Sequence, residues 1–438
     1  MEKSRLAGII AALLLLLADR AVFAANQYNL YIRMAPANCL MTVDGKPREP
    51  VSFSDYVKSV SLGPGDHVFE FWRPGYEEKT VEITVTRQDQ LLEVKLEKRE
   101  ADLRAVSILP AGIQPKCVEF TPDGRFFLSA LLFGPGIELY SAETLEKIKT
   151  ITIPDNFAKQ KGFVEIAFLP GLREIWVSQM TTDRIHVIDL ETFTYKTSFY
   201  TGGSWSKVIT ISGDETLAFV SNWLSETVSI FDAPAKKLIA VVKVPGTPRG
   251  MSVTPDNKFL YVCNYAYGTV DKISLSEYRV LKSIQAGAGA KRHSVMDLTT
   301  GRIFLSDMAR GSIVILDTET DTIVREKFLD EKLNTIKLST DGRFLFVSSR
   351  GPNNPENYVL RGPRFGKVYV LDAESLEIID WVWGMNQPTG LGISPDGKIL
   401  AFTDFLDNQI EVYRLEGALY PAPLPEKAAL LPEQDPLR

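Results

Sequence analysis

The sequence predicts an all-β chain built largely from one repeated unit. Three observations predict it. A turn motif recurs at positions 122, 170, 213, 255, 299, 340 and 395, with spacings of 48, 43, 42, 44, 41 and 55 residues. Each interval holds four short apolar or alternating segments, and a period of about 40–45 residues with four strands per unit is the signature of propeller blades. Residues 27–97 carry strand signals of their own but not this repeat, so a separate small β domain precedes the propeller.

The unit is clearest in Pro245–Gln285. Gly250–Thr254 reads as a first strand. Pro255-Asp256-Asn257-Lys258 breaks it, because proline fixes φ and lacks an N–H while Asp and Asn favour turns. Phe259–Cys263, Val270–Ser274 and Val280–Ile284 follow as β-branched and aromatic strands. The same turn stands as Pro122-Asp123-Gly124-Arg125, Thr340-Asp341-Gly342-Arg343 and Pro395-Asp396-Gly397-Lys398. Weaker copies carry Pro170, Gly213 and Thr299.

With Ser221-Asn222 followed by Thr227-Val228-Ser229-Ile230-Phe231-Asp232, and with Ile185–Asp189 and Ile313–Asp317 matching the second half, the repeat resembles the bacterial YVTN-type propeller repeat. The resemblance covers residues 101–416 and implies seven blades. It also implies that the first strand of each unit lines the central channel, that the loop leading into it shares one rim with the second-to-third strand loop, and that the Pro-Asp-Gly turns lie on the other rim.

Residues 1–24 read as a secretory signal. Lys3 and Arg5 precede the 13-residue apolar run Leu6–Ala18, and Val22-Phe23-Ala24 offers a cleavage site. Thirteen residues of helix cover under ~20 Å, short of the ~30 Å membrane core, so no transmembrane anchor is expected after cleavage. The expected location is the periplasm or the cell surface. In residues 27–97, Val43-Asp44-Gly45-Lys46, Leu62-Gly63-Pro64-Gly65-Asp66-His67 and Gly75-Tyr76 resemble the marks of the PEGA domain, although its naming tetrapeptide is replaced by Pro36-Ala37-Asn38-Cys39. That resemblance implies an immunoglobulin-like β-sandwich acting as a spacer or adhesion module. Glu97-Lys98-Arg99-Glu100 reads as a solvated hinge. Ala101–Leu109 has the form of a fourth strand, and the last unit, 387–415, supplies only three. Residues 103–109 are therefore expected to complete the last blade and abolish an open edge. The Pro-rich tail, 417–438, is expected to be extended and disordered.

The formal net charge is −6, which gives no global attraction to nucleic acid or anionic lipid. Cys39, Cys117 and Cys263 show no ligand spacing and read as buried thiols. His67, His186 and His293 are too dispersed for a histidine-rich metal site. No metal, cofactor or catalytic set is read from the chain: G-x-S-x-G, H-E-x-x-H and phosphate-loop motifs do not occur. The recurring Asp189, Asp232, Asp317 and Asp372 end third strands and read as turn residues.

Candidate binding residues lie on the rim that the resemblance assigns to ligands. Aligning the leading loops places Lys116, Val164, Lys207, Arg249, His293, Asn334 and Thr389 at one level, with Lys291 and Arg292 beside His293. Converging cations would focus positive potential at the channel mouth despite the net negative charge. The second-to-third strand loops add Asn222, Trp223, Asn264, Tyr265, Tyr267, Asp307, Arg310, Asp404 and Phe405. The sixth unit carries an insertion, 350–366, with Arg350, Arg361 and Arg364 expected over the same rim. The expected function is a non-catalytic binding or scaffold role in the bacterial envelope, its partner an envelope protein, a glycan or a small anionic ligand. A propeller enzyme, oxidoreductase or lactonase-like, is the alternative, and nucleic-acid binding ranks below both.

Overall fold

The computed structural model describes residues 27–36, 39–47, 51–52, 57–73, 76–99 and 101–419. The signal segment 1–24, the turn at 74–75 and the Pro-rich stretch 420–438 lie outside them. The chain divides into two compact units at Glu100/Ala101. Among the described residues, no helix is long and apolar enough to cross a membrane.

The N-terminal unit is a sandwich of two four-stranded sheets. In one, Tyr28–Ala35 pairs antiparallel with Val57–Leu62 and parallel with Gln90–Lys95. In the other, Gly65–Trp72 sits between Leu40–Val43 and Lys79–Val85. Alternation puts Leu30, Ile32 and Met34 inward against Phe69, Phe71 and Val94. Cys39 joins this core, and His67 bonds Asp44 and the Gly63 carbonyl, a structural role.

The second unit is a seven-bladed propeller. Its described residues form seven four-stranded antiparallel sheets. The inner strands are Pro115–Phe120, Phe163–Leu169, Ser206–Ile211, Pro248–Val253, Lys291–Met296, Leu333–Leu338 and Pro388–Ile393. Second and third strands such as Phe344–Ser349 are buried on both faces, which explains their near-continuous apolar runs. Outermost strands such as Lys237–Lys243 are largely exposed and mix lysine with apolar residues. The core lies between blades: Leu128 and Ile137 of the first pack with Ile166, Ile175 and Val177 of the second.

The recurrent turn has a local cause. A Ser or Thr before it donates its hydroxyl to the Asp two residues on, at 2.6 Å for Thr121–Asp123 and Ser394–Asp396 and 2.7 Å for Thr254–Asp256. The same carboxylate accepts the backbone N–H of Arg125, Lys258 or Lys398. These bonds favour the ionised form; the Ser212 and Thr254 hydroxyls foremost hold Asp214 and Asp256 at about 2. Asp189, Asp317 and Asp372 likewise accept N–H groups of their own turns.

The ring closes as expected. Leu103–Pro110 pairs antiparallel with Gln409–Leu415, Leu103 opposite Leu415 and Leu109 opposite Ile410. The Leu103 N–H donates to Asp380 Oδ2 at 2.8 Å, tying the closing strand to the sixth blade. The chain continues with the propeller beyond residue 416: Gly417–Leu419 forms a turn, Ala418 N–H donates to Asp102, and Leu419 is buried. A one-turn helix, Asp155–Ala158, between the first two blades was not read from the sequence.

Candidate functional site

One cavity is lined by all seven inner strands, which places it on the propeller axis. Lys116, Glu165, Lys207, Arg249, Arg292, His293, Asn334 and Thr389 are among its walls, and its volume is about 30 Å³. That is room for about two waters within the walls, and none for an enclosed nucleotide.

Position in the strand explains the convergence. Each inner strand has a register irregularity just after its first residue, seen between Pro115 and Cys117 and between Lys291 and His293. The residue inside it reaches the mouth. Lys116, Lys207, Arg249 and Arg292 occupy this position, with Val164, Asn334 and Thr389 completing the level. The expected alignment of His293 with Lys116 is therefore one residue off: Arg292 holds the mouth position, and His293 lies one level deeper with Glu165. The buried position two residues past the ring is apolar in the other inner strands, as at Val118, Ile209 and Met251, but is Ser294 in the fifth, so an alignment on the first apolar residue slips by one. Arg350 stands behind the ring, buried, and donates to Gln387 Oε1.

None of these five cations has a carboxylate within ion-pairing distance among the described residues. Their neighbours are aromatic rings, amides and thioethers. Lys116 Nζ lies 4.6 Å from the centroid of Phe405, and Lys207 Nζ 4.4 Å from that of Trp223. The Arg249 guanidinium stands 4.8 Å from Trp223 on the other side. Arg292 bonds Asn334 Oδ1. Arg249 Nε, Arg350 Nε and Asn334 Nδ2 have no hydrogen-bond partner among the described residues.

Magnitudes decide what this means. A cation–π contact contributes roughly 0.5–2 kcal/mol. Removing an ion from water costs several kcal/mol. The contacts leave the ring under-compensated, and the protonation equilibria reflect it. Burial, then Arg292, Arg350, Arg249 and Lys207, pushes Lys116 well below the usual amine range. Burial, then Arg249 and Arg292, brings Lys207 down to about 6. The guanidiniums of Arg249 and Arg292 are pushed in the same direction by burial, yet arginine stays charged at neutral pH.

A second level lies beneath. Lys337 Nζ bonds Glu119 Oε1 at 2.5 Å, joining the sixth and first blades in a cavity of about 250 Å³ that Glu165, His293 and Thr210 also line. Burial, then the neighbouring Glu119 charge, raises Glu165 to about 7. Burial, then Lys337, Arg292 and Arg249, holds His293 neutral, at about 3.

The other rim candidates are placed differently. Asn222 is fully buried, accepting from Ser206 and donating to Ser229 and Thr227 inside its own blade. Asp404 is equally buried, accepting from the Met385 N–H and Gln409. Both are corrected from binding to structural roles: the end of a second strand points into the blade interior, and polar side chains there satisfy loop donors. Asp307 pairs with Lys291 at 2.5 Å, both fully buried. Arg361 pairs with Asp407 at 2.9 Å and Arg364 with Glu331 at 3.8 Å, so of the three arginines only Arg350 lies close enough to the ring for its charge to act on Lys116 and Arg249. Trp223 and Tyr265 do meet, 5.4 Å apart, beside Lys207 and Arg249. Sequence reasoning missed Glu165, one residue past Val164, and the Glu119–Lys337 pair, 218 residues apart. Among the described residues, no three His, Cys, Asp or Glu side chains gather as metal ligands.

Comparison with known proteins gives the following. Residues 282–422 match the family described as SMP-30/Gluconolactonase/LRE-like region. The chain is 34% identical over 352 residues to Antigen Lp49 of Leptospira interrogans, covering 78% of this chain and 76% of that protein. It is 25% identical over 154 residues to the seven-bladed beta-propeller protein Rv1057 of Mycobacterium tuberculosis, covering 34% and 39%. Among solved structures it resembles hydrazine synthase of Kuenenia stuttgartiensis at a TM-score of 0.59 and 18% identity, covering 71% of this chain and 97% of that one. That likeness concerns the fold alone.

Proposed function

The chain belongs to the family of the leptospiral antigen Lp49, and we propose that it is a non-catalytic binding protein of the bacterial envelope whose propeller mouth captures an anionic ligand. One observation carries this reading. Five basic side chains, Lys116, Lys207, Arg249 and Arg292 at the mouth and Arg350 behind them, converge from distant parts of the chain without a paired carboxylate among the described residues. An anion inserted there restores the missing counter-charge and meets the free Arg249 Nε and Asn334 Nδ2 donors. The relative's designation as an antigen and the apolar segment near residue 10 support an outward placement. On this reading the blades are YVTN-type repeats and the N-terminal sandwich a PEGA-like spacer.

The test is calorimetric titration of the purified full chain with phosphate, acetate and citrate at low ionic strength. Expected are saturable binding and at least a tenfold loss for Arg249→Ala. Absence of binding at millimolar anion would remove the reading.

The match over residues 282–422 favours a second reading, a lactonase-like hydrolase. Glu165 is the acid–base candidate at the mouth. Turnover in a panel of lactones, abolished in Glu165→Gln, would establish it.

A further inference from the structure

Glu165 is out of place in an anion site. Glu165 lines both the mouth cavity with the four ring cations and the cavity beneath it, yet its carboxyl makes no hydrogen bond or ion pair among the described residues. Lys337, the cation that shares its level, is engaged by Glu119 instead. An ionised carboxylate facing an incoming anion repels it unless a proton lies between them. An oxyanion that keeps a hydroxyl supplies that proton and turns the repulsion into a charge-assisted hydrogen bond of about 2.5–2.7 Å.

We propose that the mouth selects hydrogen phosphate over oxyanions that carry no proton, the ring cations binding its charged oxygens and Glu165 accepting its P–OH. This rests on the anion-binding reading and goes further by naming the ligand. Asn334 Nδ2 and Arg249 Nε are donors without partners at the same level, suited to the charged oxygens. No proton leaves or enters in this step: the phosphate hydroxyl donates and stays bonded to its own oxygen.

Glu165 is faced by Glu119 and Lys116 from the first blade, Lys207 from the third, Arg249 from the fourth, Arg292 and His293 from the fifth, and Lys337 from the sixth. At a single pH the charge of Lys207 is common to every anion, and at pH 8 hydrogen phosphate, sulfate and glycerol phosphate are all dianions, so the ratio of affinities there reports the hydroxyl facing Glu165 and not the ring charge.

The experiment is titration of the full chain with inorganic phosphate, sulfate and glycerol phosphate at pH 8, in low-salt buffer free of other polyanions. At pH 8 sulfate and the monoester are fully ionised, whereas inorganic phosphate keeps one hydroxyl. Phosphate is expected to bind about 10–100-fold tighter than either, the range for a hydrogen bond to a charged group. Glu165→Gln should abolish the preference at pH 8; the comparison of the three dianions on the wild-type protein at that pH tests the proposal without any variant. Sulfate or glycerol phosphate within threefold of phosphate at pH 8 overturns the proposal and leaves anion binding standing. Failure of all three to bind removes both.

Discussion

Replacing Lys207 by methionine should stabilise the ligand-free protein. Lys207 titrates at about 6, against roughly 10.4 for a free lysine. At ~1.36 kcal/mol per pH unit the gap has a ceiling of ~6 kcal/mol. The side chain keeps partial contact with solvent, and an effective dielectric near 20 leaves ~1–3 kcal/mol of this. Methionine gives up contacts to Trp205 and Trp223 but retains an apolar stem against both rings. The sign with pH follows from proton counts. Between pH 6 and about 10 the unfolded chain holds the Lys207 proton and the folded one does not, so wild-type stability rises with pH across that window. The gain from Lys207→Met is therefore largest at or below pH 6 and shrinks toward pH 9. Scanning calorimetry in anion-poor buffer should show a midpoint about 2–5 °C higher at pH 6. Added phosphate should then raise the wild-type midpoint more than that of the variant. A lower midpoint at pH 6, or a gain that grows with pH, would refute the view of the ring as uncompensated charge.

Two further outcomes are expected. A Cβ on Gly390 would stand 2.5 Å from the Cys117 Cα and 2.8 Å from the Val118 N, both backbone atoms of the first blade, so Gly390→Ala should cost about 1–3 kcal/mol in chemical denaturation; an unchanged midpoint would mean that the seam opens freely. Burial raises both Asp404 and Glu411, with the nearby Glu411 charge adding to the effect on Asp404, so the folded pair keeps a proton that the unfolded chain loses above ~4, and stability falls as pH rises from there. Glu411→Gln should flatten this decline, worth up to ~1.4 kcal/mol per pH unit, in midpoints compared between pH 5 and pH 9; a parallel decline in the variant would argue against a shared proton.

The repeat was legible because its cause is local. The hydroxyl–Asp staple spans two residues, and each copy reproduces it wherever Ser or Thr precedes an x-Asp pair. Closure by residues 103–109 was legible because a missing fourth strand shows in the count. The candidate site was legible only in part. Lys116, Lys207 and Arg249 line the cavity, Arg350 stands behind it, and the polar Ser294 at a position that is apolar in the other inner strands exchanged Arg292 for His293 at the ring level. Asn222 and Asp404 look like rim residues in a linear reading, and only packing shows them bonded inside their blades. Arg361 and Arg364 are drawn off by Asp407 and Glu331, which no local pattern announces.

By itself the sequence determined how many blades form, where each turns and which strand seals the ring, since period-two patterning and turn chemistry act over a few residues. Only the tertiary structure decided which charges meet. Lys116 and Arg350 lie 234 positions apart in the chain, yet the Arg350 charge adds to burial in lowering the proton affinity of Lys116. The field at the axis is a sum over seven strands, and its strength depends on the water their assembly excludes, a quantity that no single segment carries.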